Sequence, residues 1–136
     1  MTVIVVPHDP AWPQHFDMES RRIAERLGGI VYRLHHIGST AIPGIAAKPI
    51  IDMLMEVAYL GALDSATADF EALGYESMGE YGIPGRRYFR RNDSHGRRTH
   101  HLHAFRLGTD DAQRHLALGI VGSEPERVQG VCPSSM

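Results

Sequence analysis

A mixed α/β (α+β) domain, a sheet flanked by helices, is what this chain predicts, and three observations carry the prediction. Segments with apolar residues at helical spacing alternate with strand-favouring runs. Two arginine-rich runs late in the chain flank a turn and read as a hairpin. Glycine or proline marks nearly every junction between them. The chain's 136 residues, 43% of them hydrophobic, suit one domain with a buried core.

Val3 to Val6 reads as a short strand ended by Pro7-His8-Asp9-Pro10. Asp9 is placed to cap the next element, and Trp12-Pro13 suits a first helical turn. From Ala11 to Leu27, Phe16, Ile23, Ala24 and Leu27 recur at helical spacing, and Gly28-Gly29 ends that helix. Ile30-Val31-Tyr32 opens a strand reaching Ile37. Pro43-Gly44 marks a loop, and Pro49 holds Lys48 extended. Ile50 to Val57 is apolar on both faces, as in a strand covered on each side. Gly61 to Leu73 predicts a second helix closed by Gly74. Tyr75 onward is strand-like, with a break at Gly79 and a turn at Gly82-Ile83-Pro84-Gly85. Arg86–Arg91 and Arg97–Leu107 predict paired strands around Asn92–Gly96, and a third helix is expected from Thr109 or Asp110 to Leu118. The domain is thus placed at residues 1–118, with 119–136 as an irregular C-terminal tail.

Cys132 is the one cysteine, so no disulfide can form within a single chain, which fits a reducing cytosol. The apolar start is too short for a signal peptide, and no segment reaches the length of a membrane span; a cytoplasmic protein is expected. The net charge of −2 conceals an asymmetry. Between Pro84 and Arg106 lie seven arginines and one acid, giving that window +6 and the remainder −8. A basic block in an acidic chain suggests an anionic small partner, while the acidic remainder argues against an extended nucleic-acid surface.

The densest motif runs from His35-His36-Ile37-Gly38-Ser39-Thr40 to Lys48-Pro49-Ile50-Ile51-Asp52. A strand leading into a Gly-Ser turn, followed by a strand carrying a carboxylate, is a layout suited to holding phosphate beside a metal. A plain strand–turn–strand connection would also account for it. Gly38, Ser39 and Thr40 would hold phosphate, Lys48 would add a point charge, and Arg86 or Arg87, just past a Pro-Gly turn, would contribute one guanidinium. Only one of those two arginines can reach the site, because successive strand residues face opposite sides. Asp52 stands in an apolar strand, where an unpartnered carboxylate would be desolvated at high cost. Glu56 shares its strand face but is separated from it by Leu54. His101 and His103 point to one side of a strand, with His100 on the other; such a pair suits a metal, a phosphate contact or proton transfer. Trp12, Tyr88 and Phe89 read as packing residues, and Glu80 as an outlying acid.

The chain resembles the GrpB-like family, a branch of the nucleotidyltransferase superfamily. The resemblance spans Val3 to about Leu118 and rests on five stretches in order. They are Pro7–Trp12, His36–Gly44, Ala47–Asp52, Gly82–Arg90 and Thr99–His103. It implies a nucleotidyltransferase-like fold with a mixed sheet, a nucleotide or other phosphorylated ligand, and a domain that is fused to dephospho-CoA kinase in some bacteria. Active superfamily members carry a paired Asp-x-Asp or Asp-x-Glu after the Gly-Ser turn; with Asp52 as first acid Leu54 fills the second place, and with Asp52 as second acid Ile50 fills the first. Family members also continue into further helix where this chain turns irregular, as if truncated or frame-shifted, and an apolar face left by that change could pair two copies.

Three functions follow as expectations. The first is a nucleotide-binding transferase using a divalent metal, magnesium by family or manganese or zinc if the histidines ligate, with Asp52, His101 and His103 as catalytic and metal residues. One carboxylate with two histidines is a poor magnesium site. The second is a non-catalytic accessory module for a kinase-like partner. The third is a transition-metal enzyme built on the same three side chains.

Overall fold

The central strand is the one whose residues are apolar on both faces. The computed structural model describes residues 5–110 and 127–129, and in it β2 (Ile51–Val57) lies between β1 (Tyr32–Ile37), antiparallel to it, and β5 (Arg98–Arg106), parallel to it. β4 (Arg87–Asn92) pairs with β5 as the expected hairpin, and β3 (Tyr75–Ser77) continues the sheet outward from β4. A short strand β6 (Arg127–Gln129) adds to the free side of β1, giving the order β3-β4-β5-β2-β1-β6. A mixed sheet with helices on one face is the α+β fold that the sequence predicts. Among the described residues no helix is long and apolar enough to cross a membrane.

Alternation along the strands sorts the molecule into two chemistries. Ile51, Met53, Met55 and Val57 of β2, Leu34 of β1 and Leu102 and Ala104 of β5 form one core with Phe16 and Ile23 of helix α1 (Trp12–Arg26) and Phe70 of the short helix Thr67–Ala72. Truncating any of the large members to alanine would cost about 2–5 kcal/mol. The opposite face carries Ile37, Leu54 and Phe105, packed with Ile83 as a second, small cluster. Around it lie His35, Asp52, Glu56, His101 and His103.

α1 starts close to where it is expected. The Asp9 carboxylate accepts the Ala11 N–H at 2.8 Å, and Pro13 occupies the first turn. The expected helix over 61–73 is instead two, α2 (Leu60–Ser65) and α3 (Thr67–Ala72), meeting at Ala66. The Thr67 hydroxyl donates to the Asp64 carbonyl at 2.9 Å, and that local bond competes with a continuous helix. The break lets Leu63, Ala66 and Phe70 all reach the core. Val6 pairs with Ala47 in an isolated bridge, so the N-terminal segment touches the loop before β2. The helix expected to run to Leu118 and most of the tail lie outside the described residues, apart from Asp110 and β6.

Candidate functional site

Gly38 ends β1 with φ 77°, a backbone that L side chains rarely adopt. A side chain here would also have no room, because its Cβ would fall 2.7 Å from Oδ2 of Asp52. The glycine therefore makes space for the carboxylate of the neighbouring strand. The chain then turns through the 3-10 segment Ser39–Ala41 and a loop back to β2. Between this turn and β5 lies a cavity of about 470 Å³ lined by Val5, Ser39, Thr40, Ala46, Ala47, Lys48, Ile50, Asp52 and His101.

Parallel pairing of β2 and β5 puts Asp52 directly opposite His101. Asp52 Oδ1 and His101 Nδ1 lie 2.9 Å apart, both side chains about 30% exposed or less. On the far side of the ring, Arg98 Nη1 stands 3.3 Å from His101 Nε2. A guanidinium has no acceptor, so Nε2 accepts and the ring proton sits on Nδ1, donated to Asp52. Arg98 is held in turn by Asn92 Oδ1 at 2.7 Å. Strict alternation would place Arg98 with His100, on the other face; an irregularity in the ladder at Arg91/Asn92 turns it toward His101. Sequence reasoning missed this arginine for that reason.

The remaining expected site residues divide. Ser39 and Lys48 line the cavity, Lys48 as an exposed side chain with no ion pair to the described residues. Thr40 also lines it, but is buried and occupied. Its hydroxyl donates to the Ile50 carbonyl at 3.2 Å and takes the His36 Nε2 proton at 2.9 Å, so it braces the turn. Arg87 goes to the helix-covered face, where its guanidinium forks onto both oxygens of Asp64 at 2.7 and 3.1 Å; it does not join the site. Glu80 caps its own loop by accepting the Gly85 N–H at 2.8 Å.

Arg86 lies on the site's face, but 7% exposed and outside the cavity lining. It donates to the carbonyls of Glu80 and Tyr81 at 3.2 and 2.8 Å and to His103 Nδ1 at 3.2 Å. Its guanidinium also sits 4.9 Å over the Tyr88 ring. Burial draws its pKa below the ordinary arginine value, with Tyr88 and Tyr81 opposing. Arg86 fixes the loop 79–86 and orients His103, rather than presenting itself to a ligand. Tyr88, read as packing from the sequence, faces this side as well, whereas Trp12 and Phe89 are core.

The three expected metal residues, Asp52, His101 and His103, share this face of the sheet. Among the described residues no three His, Cys, Asp or Glu side chains converge on one point. Asp52 Oδ1 is committed to His101, and His103 Nδ1 accepts from Arg86. Glu56, on the face of Asp52, is buried and bonded to His35 Nε2 at 2.8 Å.

A second polar cluster, absent from the expectations, lies on the helix-covered face. Glu19 of α1, 3% exposed, receives the Tyr75 hydroxyl and guanidinium N–H groups from Arg22 at 2.7 Å and Arg91 at 2.8 Å. Burial alone would raise its carboxyl, but Tyr75, His100, Arg91 and Arg22 together hold it below the usual range. His100, beside it, is pushed down to about 4, chiefly by burial.

This arrangement occurs on a known scaffold. Residues 2–119 match the family described as GrpB protein. The chain belongs to the GrpB family. It is 42% identical over 114 residues to UPF0157 protein YqkA of Bacillus subtilis, an alignment covering 84% of this chain and 33% of that protein. The crystal structure of the conserved protein GrpB from Enterococcus faecalis superposes with a TM-score of 0.77 at 42% identity, covering 84% of this chain and 68% of that one. A dephospho-CoA kinase of Mycolicibacterium paratuberculosis is 38% identical over 79 residues, 56% of this chain but 19% of the kinase. The chain thus spans about a third of YqkA and a fifth of that kinase.

Proposed function

We propose that this GrpB domain binds a phosphorylated small molecule, a nucleotide foremost, in the cavity beside the Gly38–Ser39 turn, and that Asp52 and His101 move a proton during phosphoryl or nucleotidyl transfer. One observation carries the reading. A hydroxyl (Ser39), an ammonium (Lys48) and a carboxylate–imidazole pair (Asp52–His101) line one cavity. Lys48 supplies charge and Ser39 a donor for phosphate oxygens. Asp52 holds His101 in the tautomer whose Nε2 carries the lone pair. An acceptor hydroxyl displacing Arg98 would give its proton to Nε2 as its oxygen bonds to phosphorus, and the bridging phosphoanhydride oxygen would depart with the bonding pair as part of the pyrophosphate or nucleoside diphosphate. Asp52 then stabilises the imidazolium.

The test is isothermal titration of nucleoside triphosphates and coenzyme A precursors against wild type, Lys48→Ala and Asp52→Asn, followed by turnover assays on any ligand that binds. Lys48→Ala is expected to weaken binding by about tenfold to a hundredfold, a charge-assisted contact being worth roughly 1.5–3 kcal/mol. Asp52→Asn is expected to spare binding and abolish turnover. Phosphorylated ligands that bind no better to wild type than to Lys48→Ala would sink the reading.

The similarity to a dephospho-CoA kinase over a fifth of its length supports a second reading, an accessory domain beside a kinase. Ligand binding without turnover, with Asp52→Asn unchanged in every assay, would favour it.

A further inference from the structure

Across the sheet from the Gly38–Ser39 turn, on the far side of His101, the described face ends in aromatic rings. Tyr81, Tyr88 and His103 stack in sequence, with centroids 5.3 and 5.2 Å apart and interplanar angles of 28° at both steps. The Tyr88 ring also lies 5.9 Å from that of His101. Tyr88 is 7% exposed, whereas Tyr81, the outermost ring, is 56% exposed. Arg90 sits 5.9 Å from the centroid of Tyr81.

Tyr81 is held there at a conformational cost. Its φ of 48° is the only positive value at a non-glycine residue among those described, and a bulky side chain in that region is sterically disfavoured. Its neighbours Gly79 and Gly82 adopt positive φ without such a penalty. Nothing in the turn itself requires tyrosine, and the ring gains little burial in return. What holds the conformation is Arg86, whose guanidinium takes the Tyr81 carbonyl at 2.8 Å and the Glu80 carbonyl at 3.2 Å. A rigid, half-exposed ring backed by a second ring and flanked by a guanidinium is the chemistry that stacks a planar heterocycle.

We infer that Tyr81, backed by Tyr88 and fixed by Arg86, is a stacking platform for the base of a nucleotide whose phosphates lie at Ser39 and Lys48. The inference rests on the phosphate reading above and adds a ligand class to it. The order along the sheet suits one elongated ligand, because β1, β2, β5 and β4 succeed one another at about 4.8 Å per strand. Gly38 follows β1, Asp52 and His101 stand on the two middle strands, and Tyr88 stands on β4. The reacting bond would then lie over Asp52 and His101, between the two anchors.

Three probes separate the anchors: the four ribonucleoside triphosphates, inorganic tripolyphosphate and the four unphosphorylated nucleosides. Each is titrated against wild type, Tyr81→Phe, Tyr81→Asn and Lys48→Ala, with Kd and tyrosine fluorescence as readouts. Asparagine tolerates positive φ, so Tyr81→Asn keeps the loop while removing the ring. At least one triphosphate should bind roughly tenfold more weakly to Tyr81→Asn and unchanged to Tyr81→Phe, with tripolyphosphate indifferent to both. A best-binding triphosphate with equal Kd in wild type and Tyr81→Asn overturns the platform and leaves the phosphate site standing. A nucleoside that quenches wild type but not Tyr81→Asn, with tripolyphosphate failing to bind, supports the platform and overturns the phosphate anchor. Wild type binding none of the probes overturns both.

Discussion

Strand β5 carries a histidine on each of its faces, and their surroundings differ in a way that separates architecture from chemistry. On the helix-covered face His100 lies beside Glu19, a carboxylate 3% exposed whose oxygens take bonds from Tyr75, Arg22 and Arg91. On the other face His101 lies beside Asp52, a carboxylate about 30% exposed, held by one ring and set at the wall of a cavity. The first cluster uses up its hydrogen-bonding capacity within the fold. The second keeps a carboxylate oxygen against Gly38 and an imidazole lone pair that, among the described residues, is covered by Arg98. Two carboxylates with imidazole neighbours can therefore serve opposite ends, and what decides between them is how many partners surround each group and whether a ligand can reach it.

The contrast breaks most sharply at Glu19. Glu19→Ala leaves the Tyr75 hydroxyl and two guanidinium groups without their shared acceptor, so urea unfolding is expected to show a loss of about 3 kcal/mol or more. Asp52→Ala should cost under about 1 kcal/mol, since its pair with His101 is partly solvated. Equal losses at the two positions would dissolve the distinction.

Gly38→Ala comes next, at about 2 kcal/mol, combining a positive φ with a Cβ 2.7 Å from Asp52 Oδ2. A double-mutant cycle with Asp52→Ala should recover the steric part of that loss and leave the backbone part. Full additivity in the cycle would mean that the carboxylate is not what Gly38 makes room for.

Acid titration sharpens the comparison further. His100 has a folded pKa of about 4, below the unfolded value near 6.5, so the native state binds fewer protons across that window. Stability should therefore fall as pH drops from about 6.5 to 4, by roughly 3 kcal/mol at most. Glu19, lowered in the fold, loses its own contribution only below its ordinary value of 4.5. His100→Gln should flatten the upper part of that profile. A slope unchanged between pH 6.5 and 4.5 would assign the dependence to another group.

The smallest expected effect lies at Arg87. Its pair with Asp64 is surface-exposed on the carboxylate side, so Arg87→Ala should cost under about 1 kcal/mol, less in high salt, and leave ligand binding alone. A change in binding would return this arginine to the site from which its strand face removes it.

The sequence by itself determined most of the described elements, the mixed α+β sheet and the family. Apolar periodicity, the Gly-Ser turn and the arginine hairpin depend on local spacing, and local spacing is what one-dimensional information preserves. It also placed His101 and His103 opposite His100, since alternation along a strand needs no partner to be known. Beyond the β4–β5 hairpin, only the tertiary structure decided which strand lies beside which. Parallel pairing of β2 with β5 brings Asp52 to His101, 49 residues away, and no local pattern encodes that register. Arg98 joins them through a ladder irregularity, and Arg86 turns from ligand contact to loop anchor because burial and carbonyl acceptors surround it. Glu19 was invisible for the same reason. An acid at mid-helix reads as solvated until the fold brings a tyrosine, two arginines and a histidine around it, and desolvation with compensation is a property of three-dimensional neighbours alone.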